Sequence, residues 1–303
     1  MNLSKHLCSA ALLLSLATPL ETAHAATGCA LKKLAELPIT WRGPDGKSSI
    51  QFPGSIKGQA LSVGLFYGTE TDAWIGEKTA ARLGWPIETK HLGIPITETV
   101  RYVELGDLRL GMAEIAGLDA LAEHNAKEDA PDIAIGPQAL ASFDVEYDLA
   151  HDRIALFSSE HCPNQAVYWT KDWFEVPFRP THRGAIAFDI KVNGNTVEAS
   201  LQPRSFFSSV TPRIQPMIGV VPVPGKDDVI IARLEFGGIA MKDVHADSFH
   251  LAVRDLPNDT TYAGNPQKFD MTDFNFGLKE MKKFRIFVSH LDQKIFFTLP
   301  DDK

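Results

Sequence analysis

The sequence aligns with itself at an offset of 141 residues (284 − 143). Phe143-Asp-Val-Glu-Tyr147 falls on Phe284-Arg-Ile-Phe-Val288 without a gap, and Gly136 falls on Gly277. Each copy has a glycine, a short stretch of helical character and two alternating strands joined by a tight turn. A repeat of this length indicates two similar lobes rather than one undivided domain.

Hairpin signals lie upstream of both copies. Asn193-Gly194 separates two alternating apolar segments, which is the strongest short-range hairpin signal. In the first half, Ile56-Lys57-Gly58 precedes an alternating segment in the same way, and a short helix is predicted over Glu77–Leu83, ended by Gly84. We therefore predict a mainly β protein of two similar β-rich lobes with a few short helices, over residues 26–160 and 173–303, joined by a connector at 161–172.

The first 25 residues have the pattern of a signal peptide. Lys5 supplies a positive start, Leu7–Leu20 is apolar but too short to span a bilayer, and Ala23-His24-Ala25 is a small-x-small cleavage site. We predict cleavage after Ala25 and a periplasmic location. No later segment approaches 18 uninterrupted apolar residues, so we expect no transmembrane span.

Export bears on the cysteines. Cys8 leaves with the signal peptide, so the mature chain keeps Cys29 and Cys162 in an oxidising compartment, where we expect them to form a disulfide. A lipid anchor on Cys29 is the alternative, and it would leave Cys162 unpaired.

The chain has 30 Lys and Arg against 38 Asp and Glu, a net charge of −8. This balance argues against a nucleic-acid partner, which needs clustered basic residues.

Several of these features together resemble a known family. They are the early Cys29, the first-lobe closing strand at Phe143, the second Cys162 followed by Ala166-Val-Tyr-Trp169, and the hairpin at Asn193-Gly194. The sequence resembles the tandem retropepsin-like aspartic peptidases exported by bacteria, over nearly the whole mature chain. The resemblance implies a mainly β, two-lobed retropepsin- or pepsin-like β-barrel fold in which each lobe supplies an Asp-Thr-Gly motif. The two aspartates would share one proton and activate a water molecule.

Both of these motifs are replaced. The first-lobe position reads Tyr67-Gly68-Thr69-Glu70 and the second reads Gln202-Pro203-Arg204-Ser205, so Tyr67 and Gln202 stand at the aspartate positions. Neither is a carboxylate, so the shared-proton mechanism has no dyad and we expect no catalytic residues of this kind. Six residues become candidate contacts for a peptide in the cleft: Tyr67, Thr69, Glu70, Gln202, Arg204 and Ser205.

The sequence gives weaker support to a relocated carboxylate pair, a serine nucleophile or a metal site. Glu70 and Asp72 could form a relocated carboxylate pair, but both belong to one lobe, and Ser205 lacks a nucleophile elbow. His245 and Asp247 would share one face of a strand while His250 points away, so we expect no metal and no cofactor.

The sequence leaves three hypotheses open. The first is an exported relative of the aspartic peptidases that binds an extended peptide or a periplasmic protein without cleaving it. The second is an active aspartic-type endopeptidase with a different dyad, and the third is a periplasmic structural or assembly protein.

Overall fold

The computed structural model describes residues 30–43, 49–66, 72–91, 99–124, 129–163, 165–181, 186–223, 228–248 and 272–300. Strands are numbered in chain order. The first lobe is an eight-stranded sheet in the order β2-β3-β4-β9-β5-β8-β7-β6, which a further pairing of β3 with β7 closes into a six-stranded barrel. Its strands are β2 (Thr40–Arg42), β3 (Ser49–Ile56), β4 (Gln59–Leu65), β5 (Ala73–Gly76), β6 (Glu88–His91), β7 (Thr99–Leu110), β8 (Ala113–Glu123) and β9 (Ile133–Ile135).

The second lobe repeats this topology strand for strand. Its order is β13-β14-β15-β20-β16-β19-β18-β17, and β14 pairs with β18 to close the second barrel. Its strands are β13 (Arg179–Pro180), β14 (Ile186–Val192), β15 (Asn195–Leu201), β16 (Ser208–Val210), β17 (Val221–Pro222), β18 (Asp228–Phe236), β19 (Ile239–Ser248) and β20 (Phe274–Phe276). The predicted mainly β, two-lobed barrel fold is thus confirmed, with both predicted hairpins in place.

A six-stranded sheet joins the lobes, in the order β1-β11-β10-β21-β22-β12, so each lobe contributes three strands. The strands are β1 (Lys33–Pro38), β10 (Phe143–Asp148), β11 (Arg153–Ser158), β12 (Phe174–Pro177), β21 (Arg285–Ser289) and β22 (Lys294–Thr298). At its centre Val145 pairs with Val288, and Tyr147 pairs with Ile286. The 141-residue offset exchanges these two pairs and maps Glu146 onto its own partner Phe287, so the pseudo-twofold axis passes through this central pair.

The helices are short and follow the repeat. In the described part of the chain they are α1 (Glu77–Leu83), α2 (Pro137–Leu140), α3 (Gln215–Ile218) and α4 (Leu278–Met281), with one 3₁₀ turn at Leu149–His151. The predicted helix Glu77–Leu83 is found with these bounds and ends at Gly84 in the left-handed conformation. None of the helices in the described ranges is long and apolar enough to cross a membrane.

Each barrel braces one outer strand of the interlobe sheet through a glycine turn. Gly111 lies against β1, where an added Cβ would be 2.9 Å from Ala35 Cβ. Gly237 lies against β12, where the same atom would be 2.9 Å from the carbonyl oxygen of Glu175. Both glycines have positive φ, at 63° and 51°. The turns therefore need glycine for conformation and for close approach, and they cover edges that would otherwise stand open.

Candidate functional site

A loop follows each of two matching strands whose last residues, Leu65 and Leu201, line one small cavity where the lobes meet. The loops follow the matching strands β4 and β15, and each begins with the same backbone hydrogen bond. The N–H of Phe66 donates to the carbonyl of Ile135 at 3.0 Å, and the N–H of Gln202 donates to the carbonyl of Phe276 at 2.7 Å. The parallel pairings of β4 with β9 and β15 with β20 fix these starting points.

The two loops differ in length by one residue. Seven residues, 66–72, separate Leu65 from Ala73, whereas six, 202–207, separate Leu201 from Ser208. Counted from the incoming strand, Gln202 corresponds to Phe66. Counted back from the outgoing strand, it corresponds to Tyr67, so the strand ends do not decide between the two, and the pairing with Tyr67 stays a prediction. Tyr67, Thr69 and Glu70 lie outside the described residues, so their placement stays a prediction.

The second-lobe loop is held by its own backbone. The Ser205 N–H donates to the carbonyl of Gln202 at 3.2 Å, and the Ser205 carbonyl accepts from the N–H of Leu278 at 2.8 Å. The Ser205 hydroxyl donates to the carbonyl of Phe207 at 2.9 Å. This hydroxyl already donates its proton to a carbonyl, so the contacts do not prepare Ser205 as a nucleophile.

The structure brings Gln202 and Arg204 to the boundary between the lobes. Gln202 lines a small cavity of about 40 Å³ with Leu65 and Pro137 of the first lobe and Ile186 of the second. Within the described residues its Oε1 is buried and has no hydrogen-bond partner. Arg204 is exposed and lines a larger cavity of about 410 Å³.

The larger cavity belongs mainly to the first lobe. Its wall includes Phe66 and Trp74, whose rings meet edge to face at 6.1 Å, and its floor includes Gly64 and Ala134. Glu123 and Asp129 add two exposed carboxylates at the rim, and Arg204 reaches it from the second lobe. The remaining lining residues are Gly43, Ser49, Ile50, Leu65, Ala130 and Pro131. An apolar wall with charged groups at its edge is typical of a small-ligand or side-chain pocket.

The second lobe fills the equivalent space with polar side chains. Strand pairing matches Gly64 and Ala134 with Ser200 and Asn275, and Trp74 with Ser209. Ser200 Oγ donates to Asn275 Oδ1 at 2.8 Å, and Asn275 Nδ2 donates to Ser209 Oγ at 3.1 Å. Thr272 completes the buried network by donating to Asn275 Oδ1 at 2.9 Å. The two lobes therefore share a backbone fold but differ in the space that they offer to a ligand side chain at this position.

Sequence reasoning missed a row of buried carboxylates on β10. Asp144, Glu146 and Asp148 point to one face of the interlobe sheet, and all three side chains are at most 1% exposed. Alternation alone is typical of a strand with one solvated face. Here the connector, with its buried Ala166 and half-buried Trp169, packs on that face instead.

Arg285 of the second lobe is the cation paired with Glu146 in this row, and Arg153 of β11 is the one paired with Asp148. Arg285 contacts Glu146 Oε1 through Nε and Nη2, both at 2.9 Å, and its guanidinium lies 3.9 Å from the centre of the Trp169 ring. The Tyr168 hydroxyl donates to Glu146 Oε2 at 2.8 Å. Burial, followed by this bond to Glu146, raises the pKa of Tyr168 to about 12. Glu146 is thus enclosed by donors from the connector and the second lobe.

The remaining sequence candidates do not converge. Asp72 lines neither interlobe cavity as described, and its backbone carbonyl accepts from the N–H of Gly136 at 2.9 Å. His245 and Asp247 lie on β19, whereas His250 is outside the described residues. Within the described ranges no three His, Cys, Asp or Glu residues are grouped to hold a metal. Cys29 is also outside them, so its disulfide with Cys162 stays a prediction.

Comparison with known proteins gives a structural likeness only. No family model matches the sequence, and no curated protein matches it. Among solved structures the chain is similar to the aspartic proteinase from Irpex lacteus, with 9% sequence identity and a TM-score of 0.49. That alignment covers 88% of this chain and 97% of the other.

Proposed function

We propose that this protein is an exported, aspartic-peptidase-like protein that binds an extended polypeptide between its lobes and does not cleave it. The observation that carries the proposal is the cavity of about 410 Å³, a first-lobe pocket with an apolar aromatic wall that Arg204 of the second lobe also lines. Arg204 stands at its rim in the loop where the resemblance implies a catalytic motif.

The chemistry of the second-lobe loop supports binding without catalysis. Gln202 cannot titrate, Arg204 is a permanent cation, and the Ser205 hydroxyl donates to a backbone carbonyl. In the first lobe the sequence offers Tyr67 at the matching position. A proton-sharing pair across the cleft needs one carboxylate from each lobe, and Tyr67 and Gln202 at the matching positions supply neither.

The difference between the lobes supports a preference of the first lobe for a bulky apolar side chain of the ligand. The first lobe presents Trp74 above Gly64 and Ala134, while the second lobe fills the equivalent space with Asn275 and its hydrogen-bond partners. A bulky apolar side chain of the ligand would enter the first-lobe cavity. An acidic neighbour on the ligand would reach Arg204.

The test is a binding titration of the mature protein with fluorescein-labelled unfolded casein, followed by fluorescence anisotropy. We expect saturable binding that weakens about fivefold in Arg204→Ala, corresponding to about 1 kcal/mol. Ala134→Leu, which fills the cavity, weakens it in the same direction. The control Arg109→Ala removes an exposed first-lobe arginine that pairs with Glu114 and does not line the cavity, and it leaves binding unchanged.

Two results would overturn the proposal. Absence of saturable casein binding would contradict the proposed peptide binding and would favour a structural or assembly role. Equal binding by the wild type, Arg204→Ala and Ala134→Leu would place any binding site outside the cleft.

A further inference from the structure

One histidine lies where three parts of the chain meet. The Nδ1 of His161 is 2.7 Å from the carbonyl oxygen of Cys162 in the connector, and its Nε2 is 2.6 Å from Asp144 Oδ2 on β10. Ser289 Oγ, at the end of β21, lies 3.4 Å from the same Nε2. The side chains of His161 and Asp144 are both 0% exposed.

The partners of the ring decide its charge. A carbonyl oxygen and a carboxylate can only accept hydrogen bonds, so each ring nitrogen of His161 needs a proton. A neutral imidazole would turn a lone pair toward one of these two acceptors, and a buried acceptor without a donor is costly. The Ser289 hydroxyl donates to Asp292 Oδ2 at 3.2 Å, so it also faces Nε2 as an acceptor. The geometry therefore favours the imidazolium form.

Asp144 connects this histidine to the second lobe. Its Oδ2 faces His161, while its Oδ1 accepts the backbone N–H of His290 at 2.8 Å. The His290 ring packs edge to face on Phe178 at 5.7 Å, just beyond β12. One carboxylate of the first lobe therefore holds the connector and the second lobe together.

We infer that His161 is a pH-sensitive clamp between the two lobes, closed while the ring is an imidazolium and released when it loses a proton. Two carboxylates act on it: Asp144 from β10, and Asp292 from the turn after β21, where the His290 ring lies 3.7 Å from Asp144 Oδ1. Glu146 and Arg285 follow Asp144 along the same face of the sheet. This inference goes beyond the proposed peptide binding and does not require it.

The direction of the pH effect follows from the surroundings of the ring. Burial lowers the pKa of His161, but the bonds to the Cys162 carbonyl and to Asp144, together with the charge of Asp292, outweigh it and raise the pKa. A raised folded-state pKa means that the stabilisation is fully present below the unfolded value of about 6.5. It is lost as pH rises through the folded value.

The first test is an NMR titration of the imidazole ¹⁵N signals in the full mature protein. We expect both His161 nitrogens to give imidazolium shifts at pH 6.5 and to lose them only at higher pH. In Asp144→Asn the new side-chain amide can donate a hydrogen bond to Nε2 of His161. A neutral ring protonated only at Nδ1 then keeps both hydrogen bonds, one to the Asn amide and one to the Cys162 carbonyl. The His161 titration should then move to lower pH by at least one unit. A neutral ring at pH 6.5 in the wild type, or an unmoved titration in Asp144→Asn, would overturn the inference.

The second test is thermal unfolding from pH 6 to pH 9. The wild-type midpoint should fall as pH rises through the His161 titration, and it should be flat over this window in His161→Gln. The matched control His245→Gln changes an exposed histidine of β19 and should keep the wild-type profile. If His161→Gln keeps the wild-type pH dependence, the clamp is contradicted even where the NMR titration agrees.

Discussion

At the residue scale, the turns at Gly111 and Gly237 set how closely the two barrels approach the interlobe sheet. Gly111 has a φ of 63°, and a Cβ there would meet Ala35 Cβ at 2.9 Å and the Leu34 carbonyl oxygen at 3.2 Å. Gly117 has nearly the same φ, 62°, but a Cβ there would meet nothing within 4 Å. A comparison of Gly111 with Gly117 therefore separates the cost of the left-handed backbone from the cost of the steric contact with β1.

Alanine at these two positions should therefore have unequal effects. Gly117→Ala should lower the free energy of unfolding by about 1 kcal/mol through the left-handed backbone alone. Gly111→Ala should cost about 1–3 kcal/mol more, because β1 must move away from the turn. Urea unfolding of both variants measures the difference. Equal losses would show that the approach of the turn to β1 contributes nothing.

At the element scale, β10 and β21 form the seam between the lobes. The 141-residue offset predicted both strands and the tight turn that follows each. It could not predict that the polar face of β10 is buried, because the covering residues come from the connector and from Arg285, 139 residues away from Glu146. A local pattern carries period and turns, whereas burial depends on what packs against the strand from a distance.

The buried pair Glu146–Arg285 gives a prediction at this scale. Glu146→Gln or Arg285→Met alone should lower the free energy of unfolding by about 3–5 kcal/mol, since each removes the closest ion-pair partner of a buried charge. The double variant should cost clearly less than the sum. A double-mutant cycle by urea unfolding measures the coupling, and strict additivity would contradict the pairing.

At the scale of the whole molecule, the sequence predicted the two barrels but not the cavity. The cavity exists because Gly64, Trp74 and Ala134, far apart in the sequence, are paired across β4, β5 and β9. The one-residue difference in loop length also became visible only once the strand ends were fixed. The fold is symmetric, and the proposed function depends on the places where side chains break that symmetry.

We have proposed that the space between the lobes binds a polypeptide without cleaving it. This is tested by incubating the purified protein, produced without residues 1–25, with unfolded casein from pH 3 to pH 7, with and without pepstatin, followed by mass spectrometry of the products. We expect intact casein at every pH, with pepstatin making no difference. Cleavage that pepstatin abolishes would contradict it and would establish a working carboxylate pair.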